Sequence, residues 1–370
     1  MKGLTEQQLA FLNQYGFDAE LQQRWLQDVA AGRLSKASNA VTGELLAPPA
    51  NTLVKLPGKG TKTARELERL GREALARGEL GVVVLNGGMA TRFGGVVKGI
   101  VPVLGRDRSF LALAVEDCRR HASSAGLSVP LFLMNSFATD AATKVHFDEH
   151  GQFGADPTRI HHFTQFVALR MTQRGDLFRL DSGDVSPYGP GHGDFLAAFR
   201  RAGLLRRFLD GGGRWLLVRN VDNLGARIDA TILGHHIQSR RPITVELAPK
   251  HAGDVGGAPY LYQGRTQLIE GLRFPPGFDP DVVDVFNTNT FWLDAEAIDR
   301  DFDLGWYYVE KSVEGRKAVQ VEHLVGELTA HLATNFLRVG RTGPTTRFLP
   351  VKTPEDLSTV RAEIERLYSR

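Results

Sequence analysis

Residues 81–105 read GVVVLNGGMATRFGGVVKGIVPVLG: a short apolar run that breaks into paired glycines, an arginine, two more glycines and a lysine. This order predicts a buried parallel strand, Val82 to Leu85, feeding a loop whose Gly87 and Gly88 leave backbone N–H groups free to face an anion. Arg92 and Lys98 add fixed positive charge beside it. No Gly-Lys-Ser/Thr follows at Walker spacing and the loop holds no Gly-x-Gly-x-x-Gly, which argues against a P-loop nucleoside triphosphatase and a simple dinucleotide dehydrogenase. Taken alone, the loop also reads as a glycine-rich turn with solvated charges.

Other segments carry chemically useful residues. In PYGPGHGD, 187–194, three glycines and His192 precede a predicted helix at Phe195, a place suited to an anion, although a solvated loop histidine is the competing reading. Asp222 follows the apolar run WLLVRN and so emerges at a strand end; one carboxylate beside phosphate oxygens is the usual way to hold Mg²⁺, and an Asx turn or helix cap is the alternative. Asn287, Thr288, Asn289 and Thr290 interrupt the apolar strand VFNTNTFWLD, where buried amides need partners such as sugar hydroxyls. Glu270, the pair Gly256 and Gly257, and Lys352 in RFLPVKT complete the set, each also readable as surface charge or turn.

These residues need a frame to position them. Apolar strands are predicted at 130–135, 160–165, 215–220, 243–247 and 285–293, with helices over 109–123, 138–150, 193–209, 229–238 and 322–335. The alternation implies an α/β protein with a largely parallel sheet and helices on both faces, in which ligands bind at the carboxyl ends of the strands. Ahead of it, Leu4 to Ala31 has helical spacing, a Pro-containing connector follows, and a second helix is expected over 63–77. Thr353, Pro354, Glu355 and Asp356 spell the start of a last helix. We therefore divide the chain into an N-terminal helical segment and connector at 1–79, a core domain at 80–352 that would carry the chemistry, and a C-terminal helix at 353–370.

The 370 residues can bury a substantial core. With 45 Lys and Arg against 42 acidic residues and no long basic run, nucleic-acid binding has little support. Cys118 is the single cysteine, which excludes an intramolecular disulfide and suits a reducing compartment. The N-terminus lacks the apolar core of a secretory signal and no stretch approaches a membrane span, so the expectation is a cytoplasmic protein with no membrane contact.

Taken together, LNGGMATRFGG with Lys98, LFLMNSFATD, Gln165 in FTQ, PGHGD, NVDNLGA, GDVGGAPY, FNTNTFW, VQVEHLVGE and RFLPVKT closely resemble the UDP-glucose pyrophosphorylase family, the eukaryotic-like UTP:sugar-1-phosphate uridylyltransferases, in the family's order over about residues 80–355. The resemblance implies a Rossmann-like, mostly parallel mixed sheet of the nucleotide-diphospho-sugar transferase type, without the C-terminal β-helix domain of larger members. It implies that Gly87 and Gly88 approach the uridine and phosphates, that Gln165 and Gly191 read uracil, and that Asn220 lies near the ribose. Asp222 would hold Mg²⁺, Lys98 and Lys352 would bind phosphates, His192 would lie near the sugar phosphate, and Gly257, Glu270 and Asn289 would face the sugar.

The implied reaction moves uridylyl from UTP to a sugar 1-phosphate, glucose 1-phosphate first, by Mg²⁺-assisted in-line attack, with Lys98, Lys352 and Arg92 neutralising charge. Ala90 and Val97 stand where the family usually has glycine and proline. Two alternatives stay open: a UDP-sugar or UDP-N-acetylhexosamine pyrophosphorylase using another sugar phosphate, and a non-catalytic sugar-nucleotide-binding protein. No oligomeric state is implied.

Overall fold

The computed structural model describes residues 3–90, 95–251, 253–254 and 256–369. At its centre lies an eight-stranded sheet built from β1 (Leu53–Lys55), β2 (Leu80–Asn86), β3 (Leu131–Asn135), β4 (Ile160–Thr164), β5 (Trp215–Asn220), β6 (Ile243–Pro249), β7 (Val285–Asp294) and β8 (Thr334–Arg338), in the order β1-β8-β6-β7-β5-β2-β3-β4. Every pair is parallel except those of β7, which runs antiparallel to both β5 and β6. The sheet is thus mixed and mostly parallel, as the strand pattern implies.

Burial on both faces explains why these strands are continuous apolar runs instead of alternating ones. Val82 and Val84 of β2 join one core cluster, while Val83 and Leu85 join the other. The first cluster is roofed by α3 (Lys62–Ala76), α4 (Phe110–Arg120), α8 (Ala230–Ser239) and α10 (Pro354–Tyr368); the second receives α6 (Phe195–Arg201) and α7 (Leu204–Asp210). α5 (Asp140–Glu149) adds Phe147 to the first cluster. α10 begins with a capping box, in which Asp356 N–H bonds Thr353 Oγ1 and Thr353 N–H bonds Asp356 Oδ2.

Three readings are corrected. The expected helix over 322–335 is instead the end of a hairpin strand (Arg316–Glu322), a 3-10 turn, the single-turn helix α9 (Leu328–His331) and the start of β8. Its helix-like apolar spacing arises because Val325, Leu328 and Leu332 enter one core from successive short elements. The 4–31 segment divides into α1 (Glu6–Gln14) and α2 (Ala19–Ala30) around Gly16, which has a positive φ of 68°. The predicted helix over 193–209 likewise splits at Gly203 into α6 and α7. Part of the expected connector also belongs to the central layers: β1 pairs in parallel with β8, and α3 packs on α8 so closely that a Cβ on Gly71 or Gly234 would overlap the facing backbone. Among the described residues, no β-helix follows the sheet and no helix is long and apolar enough to cross a membrane.

Candidate active site

Asn86 ends β2 and Asn135 ends β3, paired in register, so both amides meet at the carboxyl edge of the sheet. Asn86 Nδ2 donates to Asn135 Oδ1 (2.8 Å) and Thr143 Oγ1 (2.9 Å), and Asn135 Nδ2 donates to Asp140 Oδ1 (2.8 Å). From the next turn, Thr139 Oγ1 donates to Asn86 O (2.9 Å) and Ser136 Oγ to Gly87 O (3.0 Å). These bonds fasten the start of the glycine loop to the neighbouring strand. Beyond it the chain turns back as the short pair Met89–Ala90 with Val96–Val97, and Lys98 N–H reaches Gly88 O (3.4 Å). Arg92 lies outside the described residues.

Gln165 follows β4 and is buried, its backbone N–H donating to Asn135 O (2.9 Å). Its side-chain amide makes no hydrogen bond to another described residue. It lies against Gly87, where a Cβ would come within 3.1 Å of Gln165 Oε1, and against Gly189, where a Cβ would overlap the amide. Glycines thus leave room around this amide, which has donor and acceptor without a partner among the described residues.

The loop carrying His192 is locked by close backbone approach. Gly191 has φ +104° and its missing side chain leaves room for His323 O, so any L-residue there would be both strained and crowded. His192 Nδ1 accepts the Val325 N–H (3.1 Å). Burial, and then the neighbouring His323, pull the ring down to about 4, so near neutral pH it is an uncharged imidazole with its proton on Nε2. This is a structured histidine, not a solvated loop residue.

Lys98 and Asp222 meet at the end of β5: Lys98 Nζ lies 2.8 Å from Asp222 Oδ2, with the side chains 12% and 20% exposed. The turn role weighed for Asp222 is taken by its neighbour Asn223, whose Oδ1 accepts from Gly225 N (3.2 Å) and Leu349 N (2.9 Å). The C-terminal segment is laid directly onto this loop. Val351 N–H donates to Asp222 O (3.0 Å), which brings the exposed Lys352 beside Asp222. Beneath, the buried Arg347 donates to Glu246 through Nε (2.8 Å) and NH2 (2.6 Å), and Trp292 Nε1 completes the carboxylate (2.8 Å).

The amides of VFNTNTFWLD are accommodated by a β-bulge. Opposite Glu246 and Leu247 the register of β7 jumps from Thr290 to Asn287, and Asn289 takes a positive φ of 55°. Released from the ladder, Asn289 Nδ2 donates to Asn220 Oδ1 (2.8 Å). Asn287 Nδ2 donates to Glu270 Oε1 (2.9 Å), and Gly257 N–H donates to Glu270 Oε2 (3.2 Å). Burial pushes the Glu270 carboxyl above the usual range, opposed by these two bonds.

Three groups therefore converge on the carboxyl edge: Gly87, Gly88 and Gln165; Lys98, Asp222 and Lys352; and Asn220, Asn289, Glu270 and Gly257, with Gly191 and His192 packed on 323–325. Sequence reasoning passed over Asn86, Asn135, Ser136 and Thr139, although two adjacent apolar runs each ending in asparagine was a usable signal. It also passed over Asp194 and His323 as single residues, although the segments PGHGD and VQVEHLVGE that hold them were noted; their pairing has no sequence-local signal. Cys118 is buried in the first core cluster, and burial raises its thiol, which makes it a poor nucleophile.

Asp222 Oδ2 is held by Lys98, and among the described residues no group of three or more His, Cys, Asp or Glu could cage a metal. A single carboxylate flanked by two lysines fits Mg²⁺, which keeps several waters and needs few protein ligands.

The family model for UTP--glucose-1-phosphate uridylyltransferase matches residues 49–369. The chain belongs to this family. The UTP--glucose-1-phosphate uridylyltransferase of Solanum tuberosum is 33% identical over 306 residues, covering 78% of this chain and 62% of that protein. The enzyme of the same name from Hordeum vulgare is 32% identical over 305 residues, 78% of this chain and 63% of the relative. The chain thus spans less than two thirds of the length of these relatives. In fold it is similar to the uridine diphosphate N-acetylglucosamine pyrophosphorylase of Trypanosoma brucei, with TM-score 0.77, 19% identity and coverage of 97% of this chain and 80% of the other. The UDP-glucose phosphorylase of the same organism gives 0.74, 23%, 95% and 78%. Membership in the uridylyltransferase family thus accompanies a sheet of the same architecture.

Proposed function

We propose that the protein transfers the uridylyl group of UTP to glucose 1-phosphate, giving UDP-glucose and pyrophosphate. The observation that carries this reading is the Lys98–Asp222 pair at the end of β5, with the Lys352 segment bonded onto the Asp222 backbone. Two lysines and one carboxylate at one strand end are what two polyanionic reactants need, and no protein nucleophile is required. A phosphate oxygen of the sugar phosphate attacks the α-phosphorus of UTP in line; the bond to the bridging oxygen breaks and pyrophosphate leaves with its electron pair.

Each group of residues has a part. Lys98 and Asp222 neutralise one another without ligand, and an arriving triphosphate offers the ammonium a more anionic partner. Lys98 and Lys352, with Arg92 as a further candidate, balance charge on the phosphates. Asp222 would hold Mg²⁺ together with nucleotide phosphate oxygens, and the ion when bound would supply further charge neutralisation. The free amide edge of Gln165 complements the adjacent carbonyl and N–H of uracil, beside Gly87 and Gly191, while Gly88 admits the phosphates. Asn220 turns toward the ribose. His192, as a neutral Nε2–H donor, faces the sugar phosphate, and Glu270, Asn289 and Gly257 meet sugar hydroxyls. A reducing cytoplasm suits the buried thiol of Cys118.

The test is pyrophosphate release across four nucleoside triphosphates and several sugar 1-phosphates, including N-acetylglucosamine 1-phosphate. UTP with glucose 1-phosphate is expected to turn over fastest. Binding of UDP-sugars without any pyrophosphate release would instead identify a binding protein.

A further inference from the structure

Gln165 sits in a turn that is held by a closed ring of contacts, and the ring passes through a part of the chain outside the family match at 49–369. On α2, Trp25 meets Trp306 edge-on, with ring centroids 4.8 Å apart. Trp306 stacks on His323 at 4.0 Å and 17°. His323 Nε2 lies 2.6 Å from Asp194 Oδ1, and the other oxygen of Asp194 accepts the Phe166 N–H (2.9 Å), next to Gln165. Three residues on, Leu169 is gripped at both backbone groups by Gln22 of α2: Leu169 N–H donates to Gln22 Oε1 (2.8 Å) and Gln22 Nε2 donates to Leu169 O (3.1 Å). The ring is therefore closed, from α2 back to α2.

Its members are buried polar groups with specific partners. Asp194 and Gln22 are each 1% exposed. A second amide clamp fastens the other side, since Asn39 Nδ2 donates to Tyr308 O (2.7 Å) and Tyr308 N–H to Asn39 Oδ1 (2.8 Å), two residues beyond Trp306. Gly16, between α1 and α2, comes so near Phe166 that a Cβ would lie 2.7 Å from its ring. Burying a carboxylate and an amide costs free energy unless they are hydrogen-bonded, and both bond the backbone that follows Gln165, at Phe166 and Leu169.

We propose that Asp194 and His323, braced by Trp306 and by Gln22 of α2, are positioning residues for the Gln165 turn, and so set affinity for the uracil base without contributing to the phosphate chemistry. The inference rests on the functional reading above, in which Gln165 meets uracil. It assigns to the N-terminal helices a role in base selection: they form the outer brace of the base pocket.

The test is calorimetric binding of uridine 5′-monophosphate, cytidine 5′-monophosphate and inorganic pyrophosphate to the full chain and to His323→Leu, His323→Gln and Trp306→Leu. His323→Leu leaves Asp194 without its imidazole partner and is expected to weaken the uridine nucleotide about tenfold, as for a lost buried hydrogen bond. Pyrophosphate affinity should stay within about twofold, and His323→Gln, which retains a donor, should recover most of the loss. Trp306→Leu, at a half-buried position, carries the same expectation should His323→Leu not fold. Unchanged uridine affinity in variants of a parent that prefers uridine overturns this inference alone, and so does equal weakening of nucleotide and pyrophosphate. A parent that does not prefer uridine to cytidine overturns the functional reading together with it.

Discussion

The proposed phosphate side and the proposed base-and-sugar side of the candidate site are built by opposite means. Lys98, Asp222 and Lys352 carry full charges on loops, partly exposed, with their placement set by backbone bonds such as Val351 N–H to Asp222 O. His192, Glu270, Asn287 and Asn289 instead sit in buried or half-buried hydrogen-bonded networks, where burial keeps His192 uncharged and raises the Glu270 carboxyl, and the Gln165 turn is held through its backbone. Charge held in place suits the proposed reaction, which must neutralise a spreading negative charge; hydrogen-bonded donors and acceptors suit the proposed recognition of a base and a sugar, whose hydroxyls and carbonyls reward geometry. The difference teaches that charge placement and recognition can fail separately in this molecule.

The sharpest way to break that separation is beneath the phosphate side. Arg347→Leu leaves Glu246 buried without its cation, and urea denaturation is expected to show a loss of roughly 3–5 kcal/mol. A loss under about 1 kcal/mol would mean that the pair does not anchor the Lys352 segment, since removing one partner of a buried pair costs far more than that. Next in size, Asp222→Ala should lower kcat by about 10²–10³-fold with KM for UTP little changed, the pattern of an interaction made in the transition state. Lys352→Met should act in the same direction; a parental rate in either variant removes that residue from the reaction.

On the recognition side the expected effect is a pH dependence. The folded His192 titrates at about 4 against about 6.5 unfolded, so between these values the unfolded chain binds the extra proton. Stability conferred by the neutral ring is complete above about pH 6.5 and is lost as pH falls toward 4. Relative to His192→Gln, the parent should lose up to roughly 3 kcal/mol over that window, measured by urea unfolding at each pH. A flat difference would show that the ring is not held neutral. The smallest effect is expected at Gly88, where a Cβ would meet nothing within 4 Å. Gly88→Ala should leave stability within about 0.5 kcal/mol yet raise KM for UTP about tenfold, because the proposed reading has phosphates enter this space. An unchanged KM would move the phosphates away from this loop.

Much of the frame was legible because buried parallel strands advertise themselves as short apolar runs: β2, β3, β5, β6 and β7 fall where those runs lie. The last helix was legible from its cap at Thr353. The 322–335 segment was not, because a strand end, a turn and one helical turn feeding the same core mimic an amphipathic helix. Nor was the bulge in β7. Its amides announced an irregularity, but the positive φ of Asn289 depends on the register that β5 and β6 impose from either side.

By itself the sequence determined the fold class, the family and the residue types at the strand ends, since these depend on local patterning and on motifs a few residues long. Only the tertiary structure decided which of those residues meet. Lys98 and Asp222 are 124 positions apart, Asn220 and Asn289 are 69 apart, and Gln22 grips Leu169 across 147. Such pairings follow from strand order and packing, which bring the carboxyl ends of β2, β4 and β5 to one edge, and no local propensity encodes them. The same reason hid Asp194 and His323: a buried carboxylate gains its meaning from the imidazole that satisfies it, and that partner lies 129 residues away.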